Sequence, residues 1–475
     1  MIPVSAQKSF HLVSLGCAKN TVDSESMAQL LQREGYQASL DPRQAEVLIV
    51  NTCGFIGPAR EESYQVLSEL ATQKRGDQWL IAAGCLSQRY GAEVIQRVPG
   101  VDGLLGTRRW MDVLDLVERL RRRTSPEPLY HLPESAAAVG RDEQGVLRVA
   151  QQGPSAYLKI ADGCRRPCAF CAIPLIKGTL VSRPLESILL EARALQDAGV
   201  REIILIAQDS TDWGHELGQR EGLSTLLEAL VREVPNVDWI RILYNFPGSV
   251  TDRQIEVMAA HKQLIPYLDL PLQHAHPATL RRMRRPANMD WVYRTLEKMR
   301  AALPGLALRS TFIVGYPGES GEEFQTLLDF IEEIRFDRVG VFTFSFELGT
   351  TSEPLGDPVP QEVKDERKDR LMQLQQRISL EKNQSLVGQT LDVLIEGEGE
   401  LADSGTQEAI SVGRSYRDAP EIDGLVFVEG GVPLHDLIPV RITGAMPYDL
   451  SGVVETGRNV ISLDSVGKTP VTLAN

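Results

Sequence analysis

The sequence predicts an α/β protein in three parts: an amino-terminal open parallel α/β domain, a central partial (βα)6-type barrel, and a small antiparallel β-barrel at the carboxyl end. Three observations predict it. Short apolar runs alternate with helix-period stretches through most of the chain, the pattern of buried parallel strands. Six such strand–helix units follow one another in the middle, which suits a βα barrel better than a sandwich. Near the carboxyl end the helical period disappears and short strand runs are joined by turn residues, as in a small barrel or OB-like module.

In chain order, FHLVSLGC, EVLIVNTC and QWLIAAGC are the first three apolar runs, and each ends in a cysteine. Helix-period stretches at 22–34 and 58–74 separate them. Residues 121–145 carry Pro, Ser and mixed charge and read as a linker. The second series follows: AYLKIADGC, REIILIAQDS, VDWIRILYNFP, YLDLPLQH, LALRSTFIVGYPG and RVGVFTFSF. A charged stretch at 361–385, with Val363, Leu371, Leu374 and Ile378 at helical spacing, reads as a surface helix leaving the barrel. TLDVLIEGE, EAISVGRSY, GLVFVEGG and LIPVRITGAM are the strands of the last module. The domain division read from this is 1–120, a linker at 121–149, 150–385, 386–456, and a tail of unknown role at 457–475.

Composition sets bounds on function. The chain has 475 residues, 43% hydrophobic and 24% charged, as in an ordinary soluble globular protein. No apolar run reaches the length of a membrane span. The amino-terminal stretch MIPVSAQKSF lacks the pattern of a secretory signal, so a cytoplasmic location without membrane attachment is expected. In a reducing compartment clustered cysteines bind metal more readily than they form disulfides. The net charge is −14, and residues 388–475 hold 14 Asp and Glu against 5 Lys and Arg, a balance of −9. Such a module is a poor match for nucleic-acid phosphates.

Three of the six cysteines stand in DGCRRPCAFCAIP as Cys164, Cys168 and Cys171, spaced C-x3-C-x2-C just past the first barrel strand. Cubane iron–sulfur clusters take one thiolate per iron, so three thiolates leave one iron open to another ligand. A structural zinc site would want a fourth protein ligand, for which His215, His274 and His276 are the candidates, none at a usual finger spacing. The other cysteines, Cys17, Cys53 and Cys85, lie 36 and 32 residues apart, each just past the carboxyl end of an expected strand. In an open parallel sheet those ends form one rim, where ligands bind.

The loop, with the aromatic Phe170 before its last cysteine, resembles the radical S-adenosylmethionine superfamily. Together with SLGCAKNTVDSE, NTCGFI, AAGCL and the terminal β-module, nearly the whole chain resembles the methylthiotransferases of that superfamily. The resemblance implies two 4Fe–4S clusters, one on Cys164, Cys168 and Cys171, the other on Cys17, Cys53 and Cys85. It implies S-adenosylmethionine as both radical source and methyl donor, and a reaction that replaces a C–H bond by C–SCH3. It also implies an electron donor and a carboxy-terminal TRAM module that reads the substrate.

The family's branches modify either an adenosine in tRNA or an aspartate in a small-subunit ribosomal protein. The acidic module favours a basic protein over RNA, and GRSYRDAPEIDGLVFV and CAFCAIPLIKGTLVSRP resemble the ribosomal-protein branch. That branch implies methylthiolation at the β-carbon of an aspartate in the twelfth small-subunit protein, met free or on the ribosome. The alternatives at this point are a tRNA adenosine methylthiotransferase and, from another class, a non-catalytic iron–sulfur or zinc scaffold. Further contacts to S-adenosylmethionine are expected from Phe170, Gln208, Asp209, Gln273, His274, Arg309 and Gly315, at or near strand ends. Gly315 to Gly318 is expected to let backbone approach the adenine. Asp23 and Glu25 of VDSE are expected to cap a helix start.

Overall fold

The chain, seen in a computed structural model that describes residues 8–133, 145–401 and 408–455, divides into two compact units, Met1–Ile378 and Ser379–Asn475. The first unit begins with a sheet of six strands: β1 (Ser9–Ser14), β2 (Gln37–Ala38), β3 (Val47–Thr52), β4 (Trp79–Gly84), β5 (Gly103–Gly106) and β6 (Leu129–His131). Their spatial order is β2-β1-β3-β4-β5-β6, and every pairing is parallel. All six residues of β3, VLIVNT, are buried, which explains its unbroken apolar character.

Helices α1 (Ala18–Arg33), α2 (Gly57–Gln73), α3 (Cys85–Arg97) and α4 (Val113–Arg122) cover the two faces. Val47 and Ile49 join Met27, Leu31 and Val117 in one apolar layer. Leu48 and Val50 join Leu67, Leu70 and Val94 in the other. The period-two alternation of β3 thus feeds both layers. The short strands β2, β5 and β6 carried no readable signal. β6 lies in the stretch read as a linker, where Leu129 packs on the sheet core; residues 134–144 lie outside the described residues.

The rest of the first unit carries β7 (Val149–Gln152), β8 (Ser155–Lys159), β9 (Ala161–Asp162), β10 (Val181–Ser182), β11 (Glu202–Ile206), β12 (Trp239–Ile242), β13 (Tyr267–Asp269), β14 (Ala307–Val314) and β15 (Arg338–Thr343). One sheet runs β12-β11-β8-β7 and another β13-β14-β15. Backbone bonds from Ile240 N to Gln263 O (2.7 Å) and Asn245 N to Asp269 O (3.0 Å) join them. The six expected strands, β8 and β11 to β15, therefore form one arc. The antiparallel β7 occupies the free edge of β8, so the arc is a partial barrel. Between and around these strands lie α5 (Ile173–Lys177), α6 (Leu185–Asp197), α7 (Gly222–Glu233), α8 (Asp252–Ala260), α9 (Pro277–Arg282), α10 (Met289–Ala302) and α11 (Gly321–Ile334). The barrel core joins Leu158, Ile203, Leu205, Leu268, Leu308 and Phe312 to helix residues such as Leu195, Leu226 and Leu327. Leu371 and Ile378 of α12 (Gln361–Gln384) are fully buried in it, so this helix is half core rather than surface alone.

In the second unit β16 (Thr390–Leu401), β17 (Glu408–Ser415), β18 (Val426–Glu429), β19 (Leu437–Ala445) and β20 (Leu450–Val454) close a barrel in the order β16-β17-β18-β20-β19. Val393, Ile395, Val426, Val428, Ile438, Val440 and Ile442 fill it. Four of these strands are legible as apolar runs in the sequence. β20, with its small Ser451 and Gly452, lacked the apolar run that marks the others. The tail 457–475 lies outside the described residues.

Candidate functional site

The three rim cysteines come together because their strands are neighbours. β1, β3 and β4 are adjacent and parallel, with Ser14 opposite Asn51 and Thr52 opposite Gly84. Adjacent strands lie about 4.8 Å apart, so three strand ends span roughly 10 Å. Cys53 follows β3 directly, Cys85 opens α3 directly after β4, and Cys17 is the cap residue of α1 two residues past Leu15. A Cβ placed on Gly16 would stand 3.1 Å from Cys53 Sγ.

A residue not singled out in the sequence ties these loops. Asn20 Nδ2 donates to Leu15 O (2.9 Å) and Thr52 O (3.1 Å), while its Oδ1 faces Cys85 Sγ at 3.7 Å. One side chain thus holds all three cysteine segments. Its only sequence signal was its place in the quoted SLGCAKNTVDSE.

The thiols differ electrostatically. Burial pushes Cys53 up to about 11 and Cys85 up to about 12. Burial would raise Cys17 too, but the Lys19 and Lys177 charges and the Asn20 and Lys19 amides outweigh it and set its pKa below the ordinary thiol value. A cysteine over a helix amino terminus behaves this way. Cys17 is exposed to solvent, whereas Cys85 is buried and Cys53 lies between the two.

The barrel set sits in the loop after β9. Gly163 has φ +71, and a Cβ there would stand 1.9 Å from Thr179 O, so only glycine lets the loop turn at this point. Cys164 N donates to Gly178 O (3.1 Å), and Ala169 N to Met283 O (2.9 Å). Cys168 Sγ accepts from Arg285 Nη1 at 3.5 Å, and Cys164 Sγ from Arg166 N at 3.4 Å. Burial pushes Cys164 up to about 11 and Cys171 up to about 12.

Both sets belong to one region of the first unit. Cys85 packs directly on Ala172 and Ile176, the former adjacent to Cys171. Arg108 donates to Ile176 O (2.9 Å) and Leu175 O (2.7 Å) across the same junction. Beneath it lies a buried charge network. Asp23 binds Arg148 (2.5 Å), Lys159 (2.7 Å) and Lys177 (2.8 Å), and Asp162 binds Lys159 (2.6 Å). Burial opposes the Asp23 charge, yet Lys159, Lys177 and Arg148 hold its carboxyl well below the ordinary range.

The capping expectation for Asp23 and Glu25 is therefore corrected. α1 starts four residues before Val22, at Ala18, which places Asp23 in its second turn facing the barrel, while Glu25 is exposed.

The other expected contacts divide. Phe170 packs with Met283, Tyr316 and Phe344 in an apolar cluster beside the barrel loop. Gln208 Oε1 and His274 Nε2 are buried without a hydrogen-bond partner, as polar atoms awaiting a ligand would be. Burial holds the His274 imidazole down to about 3, so it is neutral, and its Nδ1 accepts from His276 N. Asp209 binds Arg166 (2.6 Å) and Thr211, and Arg309 binds Asp269 (2.9 Å). Gln273 has φ 74, a strained position for a non-glycine residue. Gly315, with φ +72, makes its close approach to Lys364, whose Cγ would lie 2.4 Å from an added Cβ; its turn already has a cause inside the protein.

Among the described residues, no three His, Cys, Asp or Glu side chains gather as a site for a single metal ion. Cubane clusters ask for a different arrangement, with one thiolate at each iron and the cysteines spread around the group. The donor sets fit that: each has three thiols with cations close by, Lys177 and Lys19 at the rim, Arg285 and Arg166 at the barrel loop. A groove of about 470 Å³ between α11 and α12 is lined by Gln325, Arg370 and Arg377 among others and contains none of the cysteines. Among the described residues no helix is long and apolar enough to cross a membrane.

A partial six-strand barrel with a C-x3-C-x2-C loop on its carboxyl rim defines a radical S-adenosylmethionine enzyme. Family models agree: residues 9–106 match the uncharacterised protein family UPF0004, 158–331 the radical SAM superfamily, and 387–454 the TRAM domain. The chain is 49% identical to the ribosomal protein uS12 methylthiotransferase RimO of Chloroflexus aurantiacus, covering 93% of this chain and 99% of that one. It is 47% identical to the RimO of Herpetosiphon aurantiacus, covering 94% and 99%. Among solved structures, the radical S-adenosylmethionine methyltransferase TsrM from Kitasatospora setae, with cobalamin and a 4Fe–4S cluster bound, shares the fold at a TM-score of 0.53 and 13% identity, covering 84% and 82%. The chain belongs to the RimO family of ribosomal protein uS12 methylthiotransferases.

Proposed function

We propose that this chain adds a methylthio group to the β-carbon of an aspartate in ribosomal protein uS12. The observation that carries the reading is the apposition of the two cysteine sets, with Cys85 packed on the residue next to Cys171. Breaking an sp3 C–H bond and placing sulfur on the same carbon calls for two open sites that share one substrate. Cys164, Cys168 and Cys171 would hold one 4Fe–4S cluster and leave an iron for S-adenosylmethionine; Cys17, Cys53 and Cys85 would hold the other. Bound there, these groups supply radical hydrogen abstraction and a transferable methylthio sulfur.

The chain's own residues shape the site around them. Phe170, Met283, Tyr316 and Phe344 form an apolar wall on one side of the barrel loop. Gln208 and neutral His274 offer unpartnered buried polar atoms to S-adenosylmethionine. Asp209 acts through Arg166, which it holds in place and whose guanidinium stacks 4.1 Å over Phe246. Gln273, Arg309 and Gly315 complete the proposed set, the last two as supports already engaged with Asp269 and Lys364.

The functional division is 1–120 for the rim cluster, 150–385 for the barrel and 386–456 for substrate reading. In the last, Arg414 is buried against Glu396 (2.6 Å) and Arg441 pairs with Glu455 (3.4 Å), which supports a basic protein partner over tRNA phosphates. A cytoplasmic enzyme served by a separate electron donor follows from this reading. Mass spectrometry of uS12, in cells with and without this protein, tests it. A methylthio mass on the aspartate that vanishes with the gene is expected. An unchanged uS12 mass together with loss of a methylthio-adenosine from tRNA overturns it.

A further inference from the structure

Lys19 stands in the first turn of α1, two residues past Cys17, and is only 7% exposed. Its ammonium lies 3.1 Å from the centre of the Tyr244 ring. Among the described residues it makes no hydrogen bond and no ion pair. An ammonium carries three donors; here none meets a protein acceptor, and the nitrogen itself is not sealed from solvent, so its donors face accessible space on the rim. The ring face offers cation–π attraction but accepts no ordinary hydrogen bond.

The carboxylate within electrostatic reach, Asp269, is engaged by Arg309 Nη1 (2.9 Å) and Tyr244 N (2.8 Å). Tyr244 itself has φ 63, a left-handed position just past β12 on the barrel rim. Such strain in a non-glycine residue clusters at ligand sites. Lys19 therefore reaches from the segment of one cysteine set to the carboxyl rim of the barrel, where the other set stands in the loop past β8 and β9. Its donors meet no protein acceptor among the described residues, which leaves them for a group bound at this rim.

We infer that Lys19 is the carboxylate-binding residue that holds the target aspartate between the two cysteine sets. The inference rests on the reading of a uS12 aspartate as substrate. The same chemistry would suit the carboxylate of S-adenosylmethionine, and the experiment separates the two.

Reconstituted wild type, Lys19→Met and Lys19→Arg would be compared with uS12 peptides carrying Asp or Asn at the target position. The readouts are peptide Kd by fluorescence anisotropy, iron content, methylthiolated product, and 5′-deoxyadenosine formed without peptide. Wild type is expected to bind the Asp peptide about tenfold tighter than the Asn peptide, a difference of about 1.4 kcal/mol. Lys19→Met is expected to bind both alike and to lose product, with peptide-free cleavage, which belongs to the barrel set, unchanged. Lys19→Arg is expected to restore part of the Asp preference. An Asp preference retained in Lys19→Met overturns the inference. So does loss of peptide-free cleavage with the preference intact, which assigns Lys19 to S-adenosylmethionine, or iron loss in both variants, which assigns it to the fold. A wild-type enzyme that leaves uS12 unmodified overturns the substrate reading itself, and this inference with it.

Discussion

Cys164, Cys168 and Cys171 lie within eight residues of one loop, whereas Cys17, Cys53 and Cys85 are drawn from a stretch of 69. The first set is placed mainly by local conformation, a left-handed Gly163 and a bond from Cys164 N to Gly178 O, with the Arg285 contact to Cys168 added by the fold. The second is placed by topology, because β1, β3 and β4 are neighbours in one parallel sheet and Asn20 bonds to all three loops. Three-thiol sets with cations beside them can thus be built by a short motif or by strand order. The two constructions should fail differently.

The largest contrast is between Cys168→Ala and Cys53→Ala. Each is expected to lower iron from about eight to about four per chain. Cys168→Ala should abolish both reductive cleavage of S-adenosylmethionine and methylthiolation. Cys53→Ala should abolish methylthiolation and retain the cleavage. Loss of cleavage in both variants would mean that the two sets are not separable.

Next is the charge network that joins the two regions. Asp23→Asn leaves Lys159, Lys177 and Arg148 with Asp162 alone, and removing one partner from a buried network of this kind costs about 3–5 kcal/mol. Urea unfolding measures it. The folded-state pKa of Asp23 is lowered, so its contribution is fully present above the unfolded value near pH ~4 and is lost as pH falls through the folded value. The variant's stability should lack that acid-side decline.

Asn20→Ala is smaller, about 1–3 kcal/mol, the cost of leaving buried partners unmet. Its signature is selective: rim-cluster loading should fall while cleavage at the barrel loop persists. The smallest effect is thiol reactivity in the iron-free protein. Cys17 has a lowered pKa and Cys53 and Cys85 raised ones, so iodoacetamide near pH 8 should modify Cys17 first, and the other two should gain reactivity only as pH rises toward about 11 and 12.

What was legible in the sequence follows the same divide. The barrel loop was readable because its spacing is local. The rim set was readable only because each cysteine closes a strong apolar run. The long strands announced themselves, but β2, β5, β6 and β20 are too short or too rich in small residues to carry a period. Asp23 reads as a cap only while the helix is expected to start at Val22, whereas the helix starts at Ala18. Its true role depends on Lys159 and Lys177, more than 130 residues away. Asn20 and Lys19 were invisible for the same reason: their partners Thr52, Cys85 and Tyr244 are neighbours only in the fold.

The central claim is that two open-cornered clusters share one chamber. An anomalous-scattering map at the iron edge, from crystals of the fully reconstituted protein, addresses it most directly. The account expects two iron centres, one against Cys17, Cys53 and Cys85 and one against Cys164, Cys168 and Cys171, facing a single cavity walled by Lys19 and Tyr244. A single centre, or two with protein side chains filling the space between them, would contradict it.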